Sequence, residues 1–168
     1  GPWRFGTDGR RPARSDEPAA CRRALLAGGV AIVPTDTVYG CAADLDTPAG
    51  VAALYALKGR PRSQPCQVLV YGDQALADAL RHIPAELRDT LRALLPGTTT
   101  CVVPDPSGRF AAAAGDSPGS VGVRAPTMPS HFAAFDRPLI ATSANEPGGL
   151  DPITVHQVPD AIRQGAAC

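Results

Sequence analysis

Gly28-Gly29-Val30-Ala31-Ile32-Val33-Pro34-Thr35-Asp36-Thr37-Val38-Tyr39-Gly40 is the stretch whose reading decides the fold. Four apolar residues, two of them β-branched valines and one an isoleucine, run from a Gly pair into a proline. A continuous apolar run with such boundaries reads as a strand buried on both faces. It opens into two hydroxyls, a carboxylate and a phenol, groups from which a site can be built where a strand leaves its sheet. The same residue types also make an ordinary turn.

Some twenty residues on stands Leu57-Lys58-Gly59-Arg60-Pro61-Arg62. Lys58 is the only lysine among the 16 Lys and Arg residues of the chain. Where every other basic position is arginine, a retained lysine points to something a guanidinium cannot do. Lysine is a compact point charge suited to a phosphate or carboxylate, and arginine a planar fork. The plainer reading is a solvated charge run after a helix.

Outward from this centre the elements alternate. Pro18 opens a helix over Ala19–Ala27, which Gly28-Gly29 stops. Cys41–Asp46 continues as extended chain, and Thr47-Pro48 starts a helix carrying Val51, Leu54, Tyr55 and Leu57 to Lys58. Gln67–Tyr71 reads as a core strand, Ala75–Leu80 as a short helix, and Pro84–Leu95 as a helix with leucines at helical spacing. Strands follow at Thr98–Val103, Val121–Arg124 and Leu139–Thr142, with a helix near Pro129–Phe135 and a capped turn at Thr154. The last strand runs into Ser143-Ala144-Asn145. Ends carrying Thr35, Arg124, and Ser143 with Asn145 are expected to converge on one cleft, as in α/β proteins generally.

The 168 residues make one domain, 18–168, behind a flexible N-terminal arm, 1–17. The arm holds Arg4, Arg10, Arg11 and Arg14, but its acids dilute them and a solvated tail is preferred to a nucleic-acid contact. Formal net charge is zero, which argues against a generic polyanion binder. No apolar run has the length of a membrane span and no signal peptide is visible. The five cysteines, Cys21, Cys41, Cys66, Cys101 and Cys168, form no Cys-x-x-Cys pair and are odd in number. Reduced thiols in a cytoplasmic protein are therefore expected, and neither a disulfide nor a zinc site. A P-loop is excluded because its lysine would have to be Lys58. His82, His131 and His156 are scattered, and Ser143 lacks a nucleophile elbow. Cations and small polar groups remain, fit for chemistry between bound substrates by positioning and charge neutralisation.

Pro34-Thr35-Asp36-Thr37-Val38-Tyr39-Gly40, Lys58-Gly59-Arg60-Pro61, Val121-Gly122-Val123-Arg124-Ala125-Pro126 and Ser143-Ala144-Asn145 occur in the order and rough spacing of the YrdC-like family. The resemblance covers about Ala19 to Val158. It implies a single-domain α/β fold, a twisted mixed sheet with flanking helices and a concave basic cleft. Members of that family include threonylcarbamoyl-AMP synthases, nucleotidyltransferases that condense L-threonine, bicarbonate and ATP into threonylcarbamoyl-AMP and pyrophosphate. The product passes to a tRNA-modifying transferase that makes threonylcarbamoyladenosine. By resemblance Lys58 and Arg60 are the catalytic cations, carrying carbamate and phosphate charge. Thr35, Arg124 and Tyr39 belong to the threonine and bicarbonate side, with Arg124 forking the carboxylate and Tyr39 shaping the wall. Lys58, Arg62, Thr100, Ser143 and Asn145 are the expected nucleotide ligands. Mg²⁺ is implied with ATP, although no carboxylate pair reveals a protein-held metal.

Three departures accompany the resemblance. Leu94-Leu95-Pro96-Gly97-Thr98-Thr99-Thr100 keeps only Thr100 of the family pattern, Cys66-Gln67 replaces an aliphatic pair, and Glu146-Pro147-Gly148 replaces x-Ser-Gly. They leave open a carbamoyl-adenylate former with another amine or acceptor in specialised metabolism. A non-catalytic RNA-binding module, making at most weak RNA contact, is the reading of a different class, and scarce aromatics argue against it.

Overall fold

The computed structural model describes residues 17–128 and 135–168. Helix α1 (Glu17–Leu26) leads into strand β1 (Ala31–Pro34), which turns back antiparallel as β2 (Tyr39–Asp44), pairing Ala31 with Ala42 and Pro34 with Tyr39. The expected extension beyond the Thr35–Val38 turn is thus the second arm of a hairpin. Helix α2 (Pro48–Leu57) follows, with Thr47 at its N-cap. The Thr47 hydroxyl leaves the helix backbone alone and donates to buried Asp44 Oδ2 at 2.5 Å, while Arg137 holds the same carboxylate from the other side. Strand β3 (Gln67–Leu69), helices α3 (Asp73–Leu80) and α4 (Ala85–Leu94), strands β4 (Cys101–Pro104), β5 (Ser120–Arg124) and β6 (Leu139–Ser143), and helix α5 (Asp160–Gly165) complete the order. The six strands form one mixed sheet, β1-β2-β6-β3-β5-β4, parallel only between β3 and β5.

Alternation along the strands separates two cores. Val68, Val123 and Ile140 point to the side where Leu54, Leu76, Leu80 and Leu91 of α2, α3 and α4 pack. Ala31, Val33, Ala42, Leu69 and Leu139 point the other way, to Leu25 of α1, Tyr71 and Phe135. This second cover spans only part of its face. Beyond it β4 lies open, with Val102 77% exposed.

β1 is an edge strand by pairing, and its burial has a source that local sequence does not show. The C-terminal residues run along its free edge, where Ala167 N donates to Val30 O at 2.7 Å and Ile32 N to Cys168 O at 2.9 Å. That placement brings Cys168 to α1, and Cys21 and Cys168 are joined in a disulfide with Cα atoms 5.6 Å apart. The expectation that all thiols are reduced is corrected for this pair. The bond spans 147 residues, so spacing gave no sign of it. Cys41, Cys66 and Cys101 are free. The cytoplasmic expectation leaned on reduced thiols, and the Cys21–Cys168 bond removes that support.

The expected Thr154 turn is a 3₁₀ turn, Val155–Gln157, closed by a capping box between Thr154 and Gln157. Helix α5, six residues long, has no counterpart in the sequence reading. The arm, except Glu17 at the start of α1, and the helix expected at 129–135, except Phe135, lie outside the described residues. Among the described residues no helix is long and apolar enough to cross a membrane.

Candidate active site

Helix α2 ends where the sequence places Lys58, with the Lys58 N–H closing the last turn on Leu54 O. The side chain does not reach solvent. It is 6% exposed, and its Nζ donates to Ser143 O at 2.7 Å, to Asn145 Oδ1 at 3.0 Å, and to Asn145 O. An ammonium has three protons, so three acceptors use its full donor capacity. Ser143 Oγ in turn donates to Asn145 Oδ1 at 2.7 Å. Lys58, Ser143 and Asn145, read from distant segments, are therefore one hydrogen-bonded unit. Burial pulls the Lys58 pKa below the usual lysine range. Arg60 pulls the same way, while Cys41, Asp151 and Cys66 oppose it.

Arg60 follows on a loop that Gly59 starts with a positive φ of 56°. The loop is pinned from below, since Asp116 N donates to Ser63 O at 2.8 Å and Cys66 N to Ala113 O at 2.9 Å. A side chain at Gly115, φ 58°, would meet Ser63 O at 2.4 Å, so only glycine allows this approach. Arg60 and Ser143 line a cleft of about 490 Å³, with Cys66, Gln67 and Gly122 among its other walls. Arg60 Nη2 donates to Pro65 O at 2.6 Å, and its Nε is buried without a partner. Arg60 is the charged residue of that lining among the described residues.

A second cluster forms on the β1–β2 turn. Thr35 Oγ1 donates to Val38 O at 2.6 Å and accepts from Val38 N at 3.1 Å, so its one proton locks the turn. Arg124 Nη2 donates to Asp36 Oδ1 at 2.5 Å and to Thr37 Oγ1 at 2.8 Å, and its Nε is buried and unpartnered. Asp36 Oδ2 also accepts from Thr127 N at 3.1 Å. The carboxylate that Arg124 was expected to take from a substrate is supplied in this structure by Asp36.

Convergence of strand ends needs correction. Ser143 faces Gly40 near one end of the strands, whereas Arg124 faces Leu69, and Leu69 faces Leu139, at the other. Arg124 nonetheless meets the β1–β2 turn through Asp36 and Thr37. Tyr71, just past β3, donates from its hydroxyl to Pro34 O at 2.8 Å across the same face. Tyr39 links the two clusters through its backbone, its N donating to Pro152 O at 2.8 Å and its O accepting from Ala144 N at 3.1 Å. Burial raises its phenol pKa.

The remaining expected residues stand apart from the cleft lining. Arg62 lies over the Tyr55 ring at 4.8 Å, an attractive cation–π placement. Thr100 Oγ1 donates to Gln67 Oε1 at 3.2 Å. Pro147-Gly148 forms a tight turn in which Gly149 N donates to Glu146 O at 2.8 Å and Gly148 takes φ 76°. Glu146 then lines a separate hollow with Leu150, Asp151 and Ile153. Asp36, Thr37 and Asp151 join these clusters without having been expected as site residues, whereas Gln67 was expected beside the amino-acid pocket. Asp36 and Thr37 stand inside the Pro34–Gly40 motif, while Asp151 follows Leu150 with no pattern to mark it. No group of three or more His, Cys, Asp or Glu among the described residues is placed to hold a metal ion.

A family model described as "Telomere recombination", covering Sua5, YciO and YrdC proteins, matches residues 23–168. The chain belongs to the Sua5/YciO/YrdC family. Within it, a protein from Halorhodospira halophila named threonylcarbamoyl-AMP synthase is 34% identical over 139 residues, covering 82% of this chain and 71% of its own. The human protein of that name is 33% identical over 156 residues, 89% of this chain and 54% of its own. The chain spans 62% of the length of a Mycobacterium tuberculosis relative that it matches at 36% identity. The P. abyssi Sua5 structure complexed with L-threonine superposes with a TM-score of 0.72 at 26% identity, over 92% of this chain and 45% of that one. E. coli YciO shares the fold, with a TM-score of 0.67 at 16% identity over 82% of this chain and 68% of its own. The single-domain mixed sheet with flanking helices expected from the motifs is the family fold.

Proposed function

We propose that this family member is a nucleotidyltransferase that forms threonylcarbamoyl-AMP from L-threonine, bicarbonate and ATP. The observation that carries the reading is the Lys58–Ser143–Asn145 unit beside Arg60 at one cleft, in a chain whose named relatives are threonylcarbamoyl-AMP synthases. The threonine nitrogen bonds to the bicarbonate carbon with loss of water, and a carbamate oxygen attacks the α-phosphorus. The bond to pyrophosphate breaks, and its electron pair leaves with pyrophosphate. Two anions must be held together while a third departs, which asks for fixed positive charge away from bulk water.

Arg60 is the cation at the cleft with donor capacity left. Lys58 acts chiefly by fixing the Ser143–Asn145 segment and by its buried charge, and direct contact with phosphate or carbamate requires one of its three bonds to open. Thr100, Arg62, Ser143 and Asn145 contribute to the nucleotide side, and Tyr39 and Thr35 shape the amino-acid side. Arg124 takes the threonine carboxylate by exchanging Asp36 for it. Among the described residues no group of three or more His, Cys, Asp or Glu is placed to hold a metal ion, so Mg²⁺ enters this proposal only on ATP. A tRNA-modifying transferase consumes the product, and direct RNA contact is at most weak.

Mass spectrometry of products from ATP, bicarbonate and a panel of amino acids tests the reading. Threonylcarbamoyl-AMP with pyrophosphate is expected. The Cys66-Gln67 pair at the cleft wall favours a second reading, in which another amine is carbamoylated, and product from a different amino acid would establish it. Salt-sensitive RNA binding without pyrophosphate release would sink both.

A further inference from the structure

Lys58 is a buried cation whose direct partners are neutral carbonyl oxygens. A buried charge needs an opposite charge close by. Among the described residues whose charge acts on it, Cys41 from β2 and Cys66 before β3 are thiols, Arg60 is a like charge, and Asp151 is a carboxylate. It acts through Asn145. The Asn145 Nδ2 donates to Asp151 Oδ1 at 3.0 Å and to Gly149 O at 2.9 Å, while its Oδ1 accepts from Lys58 Nζ at 3.0 Å and Ser143 Oγ at 2.7 Å. A carboxylate only accepts and an ammonium only donates, so the two fix one amide in one orientation from opposite ends. Aspartate, amide and lysine form an ion pair bridged by a side-chain amide, and each bond strengthens the next.

We propose that Asp151 is a positioning residue, the countercharge that holds Asn145 in register and thereby keeps Lys58 and Ser143 in place at the cleft. Asp151 is exposed and the adjoining Pro152 is buried, with Pro152 O held by Tyr39 N. The backbone of the segment is thus anchored independently of the Asp151 side chain. Asn145 is left as the relay between solvent-facing and buried charge, and loss of Asp151 removes the acidic member of the unit among the described residues.

Because Lys58 is the only lysine, protein labelled with ¹³C,¹⁵N-lysine gives one side-chain ammonium signal to titrate. Asp151→Asn, which keeps shape and removes charge, and Asp151→Ala should both move the Lys58 midpoint to lower pH than in the wild type. Asp151→Glu should return it towards the wild-type value, and Glu146→Gln should not move it. Unchanged midpoints in both Asp151→Asn and Asp151→Ala would overturn the assignment. The kinetic arm rests on the proposed reaction: pyrophosphate release should fall about tenfold or more in Asp151→Ala, since misplacing site groups by about 1 Å can cost about 100-fold. If the wild type releases no pyrophosphate while the Asp151 variants show the lysine shift, the role of Asp151 stands and the proposed reaction is refuted instead.

Discussion

Arg124 and Asp36 lie 88 residues apart in sequence and meet at 2.5 Å, with side chains only 9% and 10% exposed. This pair, beside Thr37, ties the β1–β2 turn to the end of β5. Removing one member of a buried pair leaves the other uncompensated and typically costs about 3–5 kcal/mol. Asp36→Ala and Arg124→Ala should each destabilise the protein by about that much in urea denaturation. The double variant should fall well short of their sum, and additivity would show that the two are not coupled. Under the proposed function, Arg124→Ala should also raise the KM for threonine more than that for ATP.

Lys58→Arg tests the compact ammonium. A planar guanidinium cannot place three donors on Ser143 O, Asn145 O and Asn145 Oδ1 from the same atom. Activity should be lost although charge is conserved. The site is buried, so unfolding free energy should also drop by about 1–3 kcal/mol, as for an unsatisfied buried acceptor. A fully active and equally stable variant would refute the arrangement.

Cys21–Cys168 closes a loop of 147 residues of sequence separation. Cross-links that restrict the unfolded chain contribute about 2–4 kcal/mol. Cys21→Ala with Cys168→Ala should lower the urea midpoint by a corresponding amount, and a reductant should do so only in the wild type. A thiol assay on unfolded, unreduced protein should titrate Cys41, Cys66 and Cys101 alone.

Burial pushes the Cys41 thiol up to about 11, with Lys58 pulling the other way. A raised value means that the folded state keeps its proton longer than the unfolded chain. The associated stability is complete below the ordinary thiol value of 9.0 and is lost as pH rises through about 11. The loss amounts to at most about 3 kcal/mol, at 1.36 kcal/mol per pKa unit. Lys58 has the opposite sign, since its lowered value lets the folded state shed a proton first and offsets part of the decline. Denaturation curves from pH 9 to pH 11 should show wild-type stability falling, and Cys41→Ala should flatten that fall.

Local patterns determined much of this protein. The apolar run at Val30–Val33, the Thr47-Pro48 helix start and the chain stop at Gly28-Gly29 are short-range matters of φ preference, capping and burial. They placed β1, α2 and the end of α1 to within a residue or two. Lys58 stood out by composition alone, and the motifs around Thr35, Arg124, Ser143 and Asn145 pointed to the family. Tertiary structure decided how these residues are used. No spacing shows that Lys58 turns inward to the Ser143–Asn145 carbonyls, because that depends on where β6 ends relative to α2. The Arg124–Asp36 pair joins the β1–β2 turn to the end of β5, elements that the strand order keeps apart. The same holds for Cys168 beside Cys21. Each arises where distant segments are packed side by side, and sequence order carries no record of that distance.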